Sequence, residues 1–238
     1  MSNSYFEFKR FTVHQEGCAM KVGTDGTLLG AWAQVPVTPS PTHILDIGTG
    51  TGLVALMMAQ RFPDSQVLGI DIDADAVTQA KKNVEASPFS SRITIQLADI
   101  RELQSPEPFD AIVSNPPYFV DSLTCPDDQR TTARHAVNLS YAELMKTSFR
   151  LLSDDGYFSV VIPTDCRSRL EAEAHLVGFF PSRLCMIKTT PNKAPKRCLM
   201  EFIKHPVTEY VTSEGIIEDN PGIRSNWYQQ LTSEFYIK

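Results

Sequence analysis

The residues best suited to chemistry form a short turn, Asn115-Pro116-Pro117-Tyr118, directly after an apolar run at residues 111–114. Prolines end a strand and stiffen the turn, because each fixes φ at about −65° and lacks an N–H donor. The Asn115 side-chain oxygen and the Pro116 carbonyl can each accept one N–H of an exocyclic amine or amide, which steadies positive charge developing on that nitrogen. Tyr118 offers a flat face to a flipped base. The turn therefore predicts catalysis on an amino nitrogen, with a purely structural turn as the alternative.

A glycine loop, Gly48, Gly50 and Gly52, follows Asp46 where an apolar run meets a helical pattern. Glycines let a ligand approach the backbone closely, and the helix N-terminus supplies N–H donors. A nicotinamide-binding loop requires Gly-x-Gly-x-x-Gly, but Leu53 stands where its third glycine would be. A carboxylate beside the loop disfavours a pyrophosphate and tolerates an ammonium group. The loop therefore favours S-adenosyl-L-methionine as the cofactor, with a ligand-free turn as the alternative.

Two further carboxylates, Asp71 and Asp99, stand at the ends of the next two predicted strands. A carboxylate at the end of the second strand can accept both ribose hydroxyls of a nucleoside. Asp99 can meet the adenine amino group of the cofactor. Asp73, in contrast, is better placed to begin the next helix. A single acid at a strand end is commonly a cap, but acids at three successive strand ends predict cofactor contacts by Asp46, Asp71 and Asp99, with Asn115 beside them.

The elements that position these residues alternate between apolar runs and helical patterns. Such alternation predicts a mostly parallel sheet covered on both faces. Too few residues separate the last two strands for a crossover helix, so the final strand is predicted to be antiparallel. We predict strands at residues 44–47, 66–72, 93–98, 111–114, 157–162, 184–189 and 199–204, and helices at 52–61, 73–87, 141–152 and 167–177.

Seven strands with a terminal hairpin are typical of the Rossmann-like class I fold of S-adenosylmethionine-dependent methyltransferases. We therefore predict one α/β domain over residues 1–238, whose catalytic core spans 41–205. Residues 1–40 are expected to add a hairpin and a helix from about residue 26 to 33, with Asp25 as its N-cap. Residues 206–238 are expected to form a tail whose helix, near 225–235, docks through three apolar side chains, Trp227, Leu231 and Phe235.

The composition excludes several classes of protein. The chain has 238 residues, 42% of them hydrophobic and 21% charged, and a formal net charge of −6. That length supports a core without disulfides or a structural metal, and the composition excludes disordered and collagen-like chains. No apolar run reaches the roughly 20 residues of a membrane span, and the N-terminus lacks a signal-peptide pattern. Five scattered cysteines without a CxxC pair indicate a reduced, cytoplasmic protein.

The charge is unevenly distributed along the chain. Residues 64–110 carry nine acids and four bases, whereas residues 183–204 carry six bases and one acid. If the final strand is antiparallel, the loop at 190–197 emerges at the carboxyl edge of the sheet, beside the catalytic turn. We expect its cations, Lys193, Lys196 and Arg197, to contact phosphates of an RNA. A solvated hairpin tip is the alternative. The long segment 119–139, with Arg130 and Arg134, is a second RNA contact or a lid.

The chain resembles known families at two levels. Asn115–Tyr118, following the glycine loop, resembles the motif of amino methyltransferases that modify adenine N6, guanine N2 or a glutamine amide, over about residues 40–205. Residues 8–13, 18–32, 45–52, 87–89, 114–118 and 232–236 resemble the bacterial tRNA1(Val) adenine-37 N6-methyltransferases, so this likeness spans nearly the whole chain. It implies a tRNA substrate, and it implies that residues 21–25, including Lys21, Thr24 and Asp25, line the cofactor pocket.

Three other functions remain open at this point. Guanine-N2 methylation of ribosomal RNA uses a related motif. Glutamine N5-methylation of proteins does too, but those enzymes usually carry a helical N-terminal domain, which 40 residues are too few to build. A cofactor-binding but inactive RNA-binding protein is a different class, against which the intact Asn115–Tyr118 motif argues. We expect no metal and no membrane partner, and the sequence does not predict the oligomeric state.

Overall fold

A central sheet of eight strands organises the protein in the computed structural model, which describes residues 4–16, 22–37, 41–116 and 139–237. The strand order is β10-β8-β9-β7-β6-β3-β4-β5. All neighbouring pairs are parallel except those of β9, which runs antiparallel to both β7 and β8. The strands are β3 (His43–Ile47), β4 (Gln66–Asp71), β5 (Ile93–Leu97), β6 (Phe109–Ser114), β7 (Leu152–Pro163), β8 (Phe180–Lys188), β9 (Arg197–Ile203) and β10 (Val211–Ile216).

Helices cover both faces of this sheet, and each face has its own apolar core. Successive side chains of a strand point to opposite faces, so Ile44 of β3 joins one core and Leu45 joins the other. The described helices are α1 (Thr24–Trp32), α2 (Leu53–Arg61), α3 (Ala74–Glu85), α4 (Tyr141–Leu151), α5 (Arg167–Val177) and α6 (Asn226–Leu231). The core beneath α1 and α2 also takes in α3 residues, whereas α4 and α5 cover the other face. Within the described ranges, no helix has the length and apolarity required to span a bilayer.

The predicted α/β class and the antiparallel terminal strand are confirmed, but the sheet has one strand more than the seven expected. The additional strand is β10, which pairs in parallel with β8 at the edge of the sheet. Four of its six residues are exposed. Because an edge strand in this position needs no apolar face, its sequence lacks the hydrophobic run by which the other strands were recognised.

The N-terminal residues form the expected hairpin of β1 (Tyr5–Glu7) and β2 (Thr12–His14). The aromatic rings of Phe6 and Phe8 contact Tyr236, near the end of the chain. The C-terminal helix α6 begins after the N-cap Ser225, and Phe235 is buried in the same core, with Trp227 and Leu231 packed against it. A small hairpin of β11 (Glu218–Asn220) and β12 (Ile223–Arg224) precedes α6.

The predicted N-cap of α1 was wrong. Gly23 occupies the N-cap position, and Asp25 lies in the first helical turn. The Asp25 carboxylate instead forms an ion pair with Arg197 of β9. The partner of the Asp25 carboxylate is therefore a cation on a distant strand, whereas the sequence pattern predicted a backbone N–H of the same helix.

Candidate active site

The glycine loop connects β3 to α2 and forms the floor of a cavity. Gly48, Gly50 and Gly52 all have positive φ values of 71°, 56° and 82°, which an L side chain rarely adopts. A methyl group placed on Gly48 would meet nothing within 4 Å, so this glycine faces open space. The N–H groups of Gly48 and Thr49 both donate to the Ile70 carbonyl at 2.9 Å, which fixes the loop to the end of β4.

Asp46 lies at the base of the same loop and is 1% exposed. Its Oδ2 accepts hydrogen bonds from Thr49 Oγ1 at 2.7 Å and from the Ala55 N–H at 3.1 Å. Burial nevertheless raises the pKa of Asp46 to about 7, because a carboxylate loses its hydration in the interior. A cationic ligand in the cavity would favour the ionised carboxylate. The predicted contact of Asp46 with an ammonium group stays a prediction.

Asn115 and Pro116 follow β6 and enter the same cavity. The Ser114 hydroxyl donates to the Ile47 carbonyl at 3.0 Å, which ties the end of β6 to the end of β3 immediately before the turn. A methyl group on Gly26 would lie 3.8 Å from Asn115 Nδ2 and 3.2 Å from Leu53 Cδ2. The Asn115 side chain thus lies close to the first turn of α1, and Gly26 leaves it space.

The cavity has a volume of about 330 Å³. Its lining brings together eight predicted site residues from four separate parts of the chain: Thr24, Asp25, Asp46, Gly48, Gly50, Asn115, Pro116 and Arg197. The predicted Gly52 lies next to it as the N-cap of α2. Parallel strands place their carboxyl ends at one edge of a sheet, which is why residues so far apart in sequence meet here.

The α1 side of the cavity carries a pair of opposite charges. Asp25 and Arg197 form an ion pair, and their side chains are only 16% and 24% exposed. Burial raises the pKa of Asp25, while the nearby Arg197 guanidinium opposes that effect. Arg197 was predicted as an RNA contact, but in the structure it belongs to the cavity wall as well as to the end of the basic loop.

Asp71 and Asp99 stand outside the cavity lining, at the carboxyl ends of β4 and β5. Asp71 holds the glycine loop, because its Oδ2 accepts from the Gly50 N–H at 2.9 Å. The Nε and Nη2 atoms of Arg101 donate three hydrogen bonds to the Asp99 carboxylate, and these bonds lower the pKa of Asp99. A cofactor that contacts Asp99 must therefore use acceptor positions of the carboxylate oxygens that Arg101 does not occupy. For both residues the cofactor contact stays a prediction.

The basic loop lies at the carboxyl edge of the sheet, between β8 and β9, as the topology predicted. Lys193 and Lys196 are exposed. The Lys196 backbone is nevertheless anchored, since its N–H donates to the Ile187 carbonyl and its carbonyl accepts from the Thr164 N–H. The two lysines are thus held on a defined loop that leads directly into the cavity residue Arg197.

Some predicted residues lie outside the described residues: Lys21, Tyr118, Arg130 and Arg134. The sequence analysis, in turn, missed some residues that shape the cavity. Gly69 of β4 is one, because a methyl group there would come within 2.8 Å of Thr49 Oγ1. A glycine inside an otherwise apolar strand is a recognisable sign of close approach by another segment, and it could have been used.

The glycine loop, the buried Asp46 carboxylate and the sheet topology define a class I S-adenosylmethionine-dependent methyltransferase. A solved structure supports the fold: a predicted O-methyltransferase from Agrobacterium tumefaciens matches with a TM-score of 0.68 at 18% identity, over 89% of this chain and 96% of that one. Residues 32–180 match the methyltransferase small domain family.

Curated relatives narrow the classification. A tRNA1(Val) (adenine(37)-N6)-methyltransferase from Phocaeicola vulgatus is 49% identical over 237 residues, covering 100% of this chain and 99% of its own. A protein of the same name from Bacteroides fragilis is 49% identical over 243 residues, covering 100% of both chains. The chain belongs to the family of these tRNA1(Val) (adenine(37)-N6)-methyltransferases.

Proposed function

We propose that this protein transfers a methyl group from S-adenosyl-L-methionine to N6 of adenine 37 in a valine tRNA, the reaction named for its full-length relatives. The observation that carries the proposal is the entry of Asn115 and Pro116 into the same cavity as the glycine loop and Asp46. This arrangement supports a cofactor site with an acceptor for an amino nitrogen beside it.

The residues present fit the cofactor. Gly48 faces open space where any side chain would intrude, and Asp46 offers a buried carboxylate to the ammonium of the methionine part. The glycine N–H groups and Asp71 lie at the adjoining strand ends, and we assign them to the remainder of the molecule. When bound, S-adenosyl-L-methionine supplies an electrophilic methyl group whose S–C bond breaks as the new N–C bond forms, which leaves a neutral thioether.

Asn115 would orient the target nitrogen. Its side-chain oxygen accepts one N–H of the adenine amino group, and the Pro116 carbonyl is the natural acceptor for the second. Withdrawing both N–H groups from the ring plane localises the lone pair on nitrogen and stabilises the positive charge that develops there. Once the N–C bond exists, the nitrogen loses one proton to water. No general base is required before the transfer.

The RNA would approach along the carboxyl edge of the sheet. Lys193 and Lys196 are exposed there. They would face the negative phosphates of a tRNA whose target base enters the cavity. We extend this proposal to Tyr118 as a stacking partner for the flipped base and to Lys21, Arg130 and Arg134 as further contacts. A cytoplasmic enzyme built as one catalytic domain would serve this substrate.

The decisive experiment incubates the protein with isotope-labelled S-adenosyl-L-methionine and total tRNA from cells that lack the modification. Mass spectrometry of nuclease digests should find N6-methyladenosine beside the anticodon of a valine tRNA. A valine tRNA transcript with guanine in place of adenine 37 is the matched control and should stay unlabelled. Parallel reactions contain ribosomal RNA or a protein extract in place of tRNA. Label on guanine of the ribosomal RNA, on a protein glutamine, or on no acceptor at all would support one of the three alternatives and overturn the proposal.

A further inference from the structure

Asn83 of α3 has a fully buried side-chain amide. Its hydrogen bonds join α3 to two other segments of the chain and to one side chain of the same helix. Its Nδ2 donates to the Thr51 carbonyl of the glycine loop at 2.8 Å and to the His14 carbonyl at 2.8 Å. Its Oδ1 accepts from the His14 N–H at 2.9 Å and from Gln79 Nε2 at 3.3 Å. Both amide protons and both acceptor positions of this side chain are therefore used.

The network reaches the cavity from two sides. Thr51, whose carbonyl Asn83 holds, lines the cavity floor. His14, whose N–H and carbonyl Asn83 holds, is followed by Gln15, and Gln15 Oε1 accepts from the Val22 N–H at 2.7 Å. Val22 lines the opposite part of the cavity. One amide on α3 thus joins the glycine loop to the N-terminal segment that leads into α1.

The packing of α3 against the loop supports the same conclusion. A methyl group on Gly52 would lie 3.4 Å from Ala80 Cβ, so the loop lies directly against the helix at the level of Asn83. Gly52 has a φ of 82°, and Gly50 has a φ of 56°. Glycine backbones are conformationally free, so the contact with α3 restricts the shapes that this loop can adopt.

We infer that Asn83 is a positioning residue for the cofactor cavity: its amide sets the distance between the glycine loop and the N-terminal segment around Val22. Asn83 contacts neither cofactor nor substrate in this role. The inference uses the proposed methyl transfer only for one kinetic readout, because cofactor binding can be measured without any tRNA.

The test uses the full chain with Asn83→Ser, which keeps a small polar group and space for a water, and Asn83→Leu, which removes all four hydrogen bonds. Both should raise the dissociation constant for S-adenosyl-L-methionine, measured by calorimetry, by about tenfold or more, because small displacements of a binding loop are costly. The KM for the cofactor should rise in parallel. The kcat at saturating cofactor should stay within about threefold of wild type, since Asn115 is untouched.

Ser87→Ala is the matched control. Ser87 is also buried and hydrogen-bonded beside α3, but among the described residues its side chain bonds Val84 and Phe89, away from the cavity. It should lower the melting temperature and leave the cofactor dissociation constant unchanged. A wild-type dissociation constant in both Asn83 variants would overturn the inference. Loss of kcat with an unchanged KM would do so too, while an inactive wild type that still binds cofactor would reject only the proposed function.

A measurement on the wild-type protein covers the case in which the variants do not fold. S-adenosylhomocysteine should slow amide hydrogen exchange in a peptide containing His14 as well as in the glycine loop, because Asn83 couples the two. Protection of the glycine loop with unchanged exchange at His14 would contradict the inference.

Discussion

Arg197, the first residue of β9, forms an ion pair with Asp25, in the first turn of α1, at the wall of the cofactor cavity. The pair joins two segments that are 172 residues apart in the chain, and it stands where the basic loop ends. Any movement of this loop therefore acts directly on a side chain of the cavity wall.

Arg197→Ala should destabilise the protein by leaving the partly buried Asp25 carboxylate without its cation. Removing one partner of such a bond typically costs about 1–3 kcal/mol of unfolding free energy. Asp25→Asn combined with Arg197→Ala should cost less than the sum of the single changes, because the unpaired charge is then absent. Urea unfolding of the double-mutant cycle measures this. Strictly additive effects would show that the pair contributes nothing, and Lys196→Ala, on the exposed neighbour, should change stability by at most about 0.5 kcal/mol.

Cofactor affinity should depend on pH through Asp46. Its pKa in the folded protein is about 7, against an ordinary value of 3.8, because of burial. Below that pH the free protein carries a protonated Asp46, and binding an ammonium group must release the proton. The dissociation constant should therefore fall by up to about tenfold per unit as pH rises from about 5.5 towards 7. Calorimetry in buffers of different ionisation heat should detect proton release on binding.

The same shift predicts how Asp46 affects folding. A raised carboxyl pKa means that the folded state binds more protons than the unfolded state between pH 3.8 and about 7. The wild type should therefore lose stability relative to Asp46→Asn as pH rises through that window. Asp46→Asn should also abolish the pH dependence of cofactor binding. Asp110→Asn is the control and should leave the pH dependence of cofactor binding intact. It removes a carboxylate that accepts from the His43 N–H at the other end of the sheet. A persistent slope in Asp46→Asn would assign the proton to another group.

Asn115→Ala should separate methyl transfer from cofactor binding. The variant loses the side-chain oxygen that accepts a target N–H, and removal of one such transition-state contact commonly lowers kcat by about 100-fold or more. Its dissociation constant for S-adenosyl-L-methionine should stay within about threefold, because the glycine loop and Asp46 remain. Thr147→Ala is the control and should keep wild-type turnover, since its buried hydroxyl bonds the Glu143 and Leu144 carbonyls of α4, away from the cavity lining. Full turnover in Asn115→Ala would refute the proposed role.

Sequence patterns predicted those parts of the candidate site that lie at the ends of recognisable strands. Asp46 lies near the end of an apolar strand that could be recognised, and the glycines and Asn115 follow such strands. Parallel topology then brings these residues together at one sheet edge. Asp25 was misassigned as an N-cap because its true partner, Arg197, depends on how β9 lies against α1. Asn83 was missed because its role lies in contacts between distant segments, which a single sequence does not encode locally. Gly69 was missed although a glycine inside an apolar strand is a local sign of close approach by another segment.

The two loop lysines should govern the salt dependence of tRNA binding. Lys193→Ala with Lys196→Ala should weaken tRNA binding and reduce the slope of log K against log salt by about one unit for each phosphate that the variant no longer neutralises. Lys81→Ala with Lys82→Ala removes the same charge from exposed positions near the far end of α3 and should leave the slope unchanged. Filter binding across a salt series measures both. Equal slopes in wild type and the loop variant would place the RNA elsewhere.

Gly69→Ala, a substitution within β4, should weaken cofactor binding by displacing Thr49. Its new methyl group would come within 2.8 Å of Thr49 Oγ1 and 2.7 Å of Ile95 Cδ1, so the side chain that holds Asp46 must move. Such overpacking costs about 1–3 kcal/mol of stability. The dissociation constant for S-adenosyl-L-methionine should rise by about tenfold, since the loop is displaced with Thr49.

Gly215→Ala is the matched comparison, because it is also a strand glycine that another side chain approaches. There the new methyl group would collide with the Trp227 ring, which lies away from the described cavity lining. Thermal unfolding should show that both variants are destabilised. Calorimetry should show weakened cofactor binding for Gly69→Ala alone. If the two variants lose affinity equally, general loss of stability explains the effect and Thr49 does not transmit it.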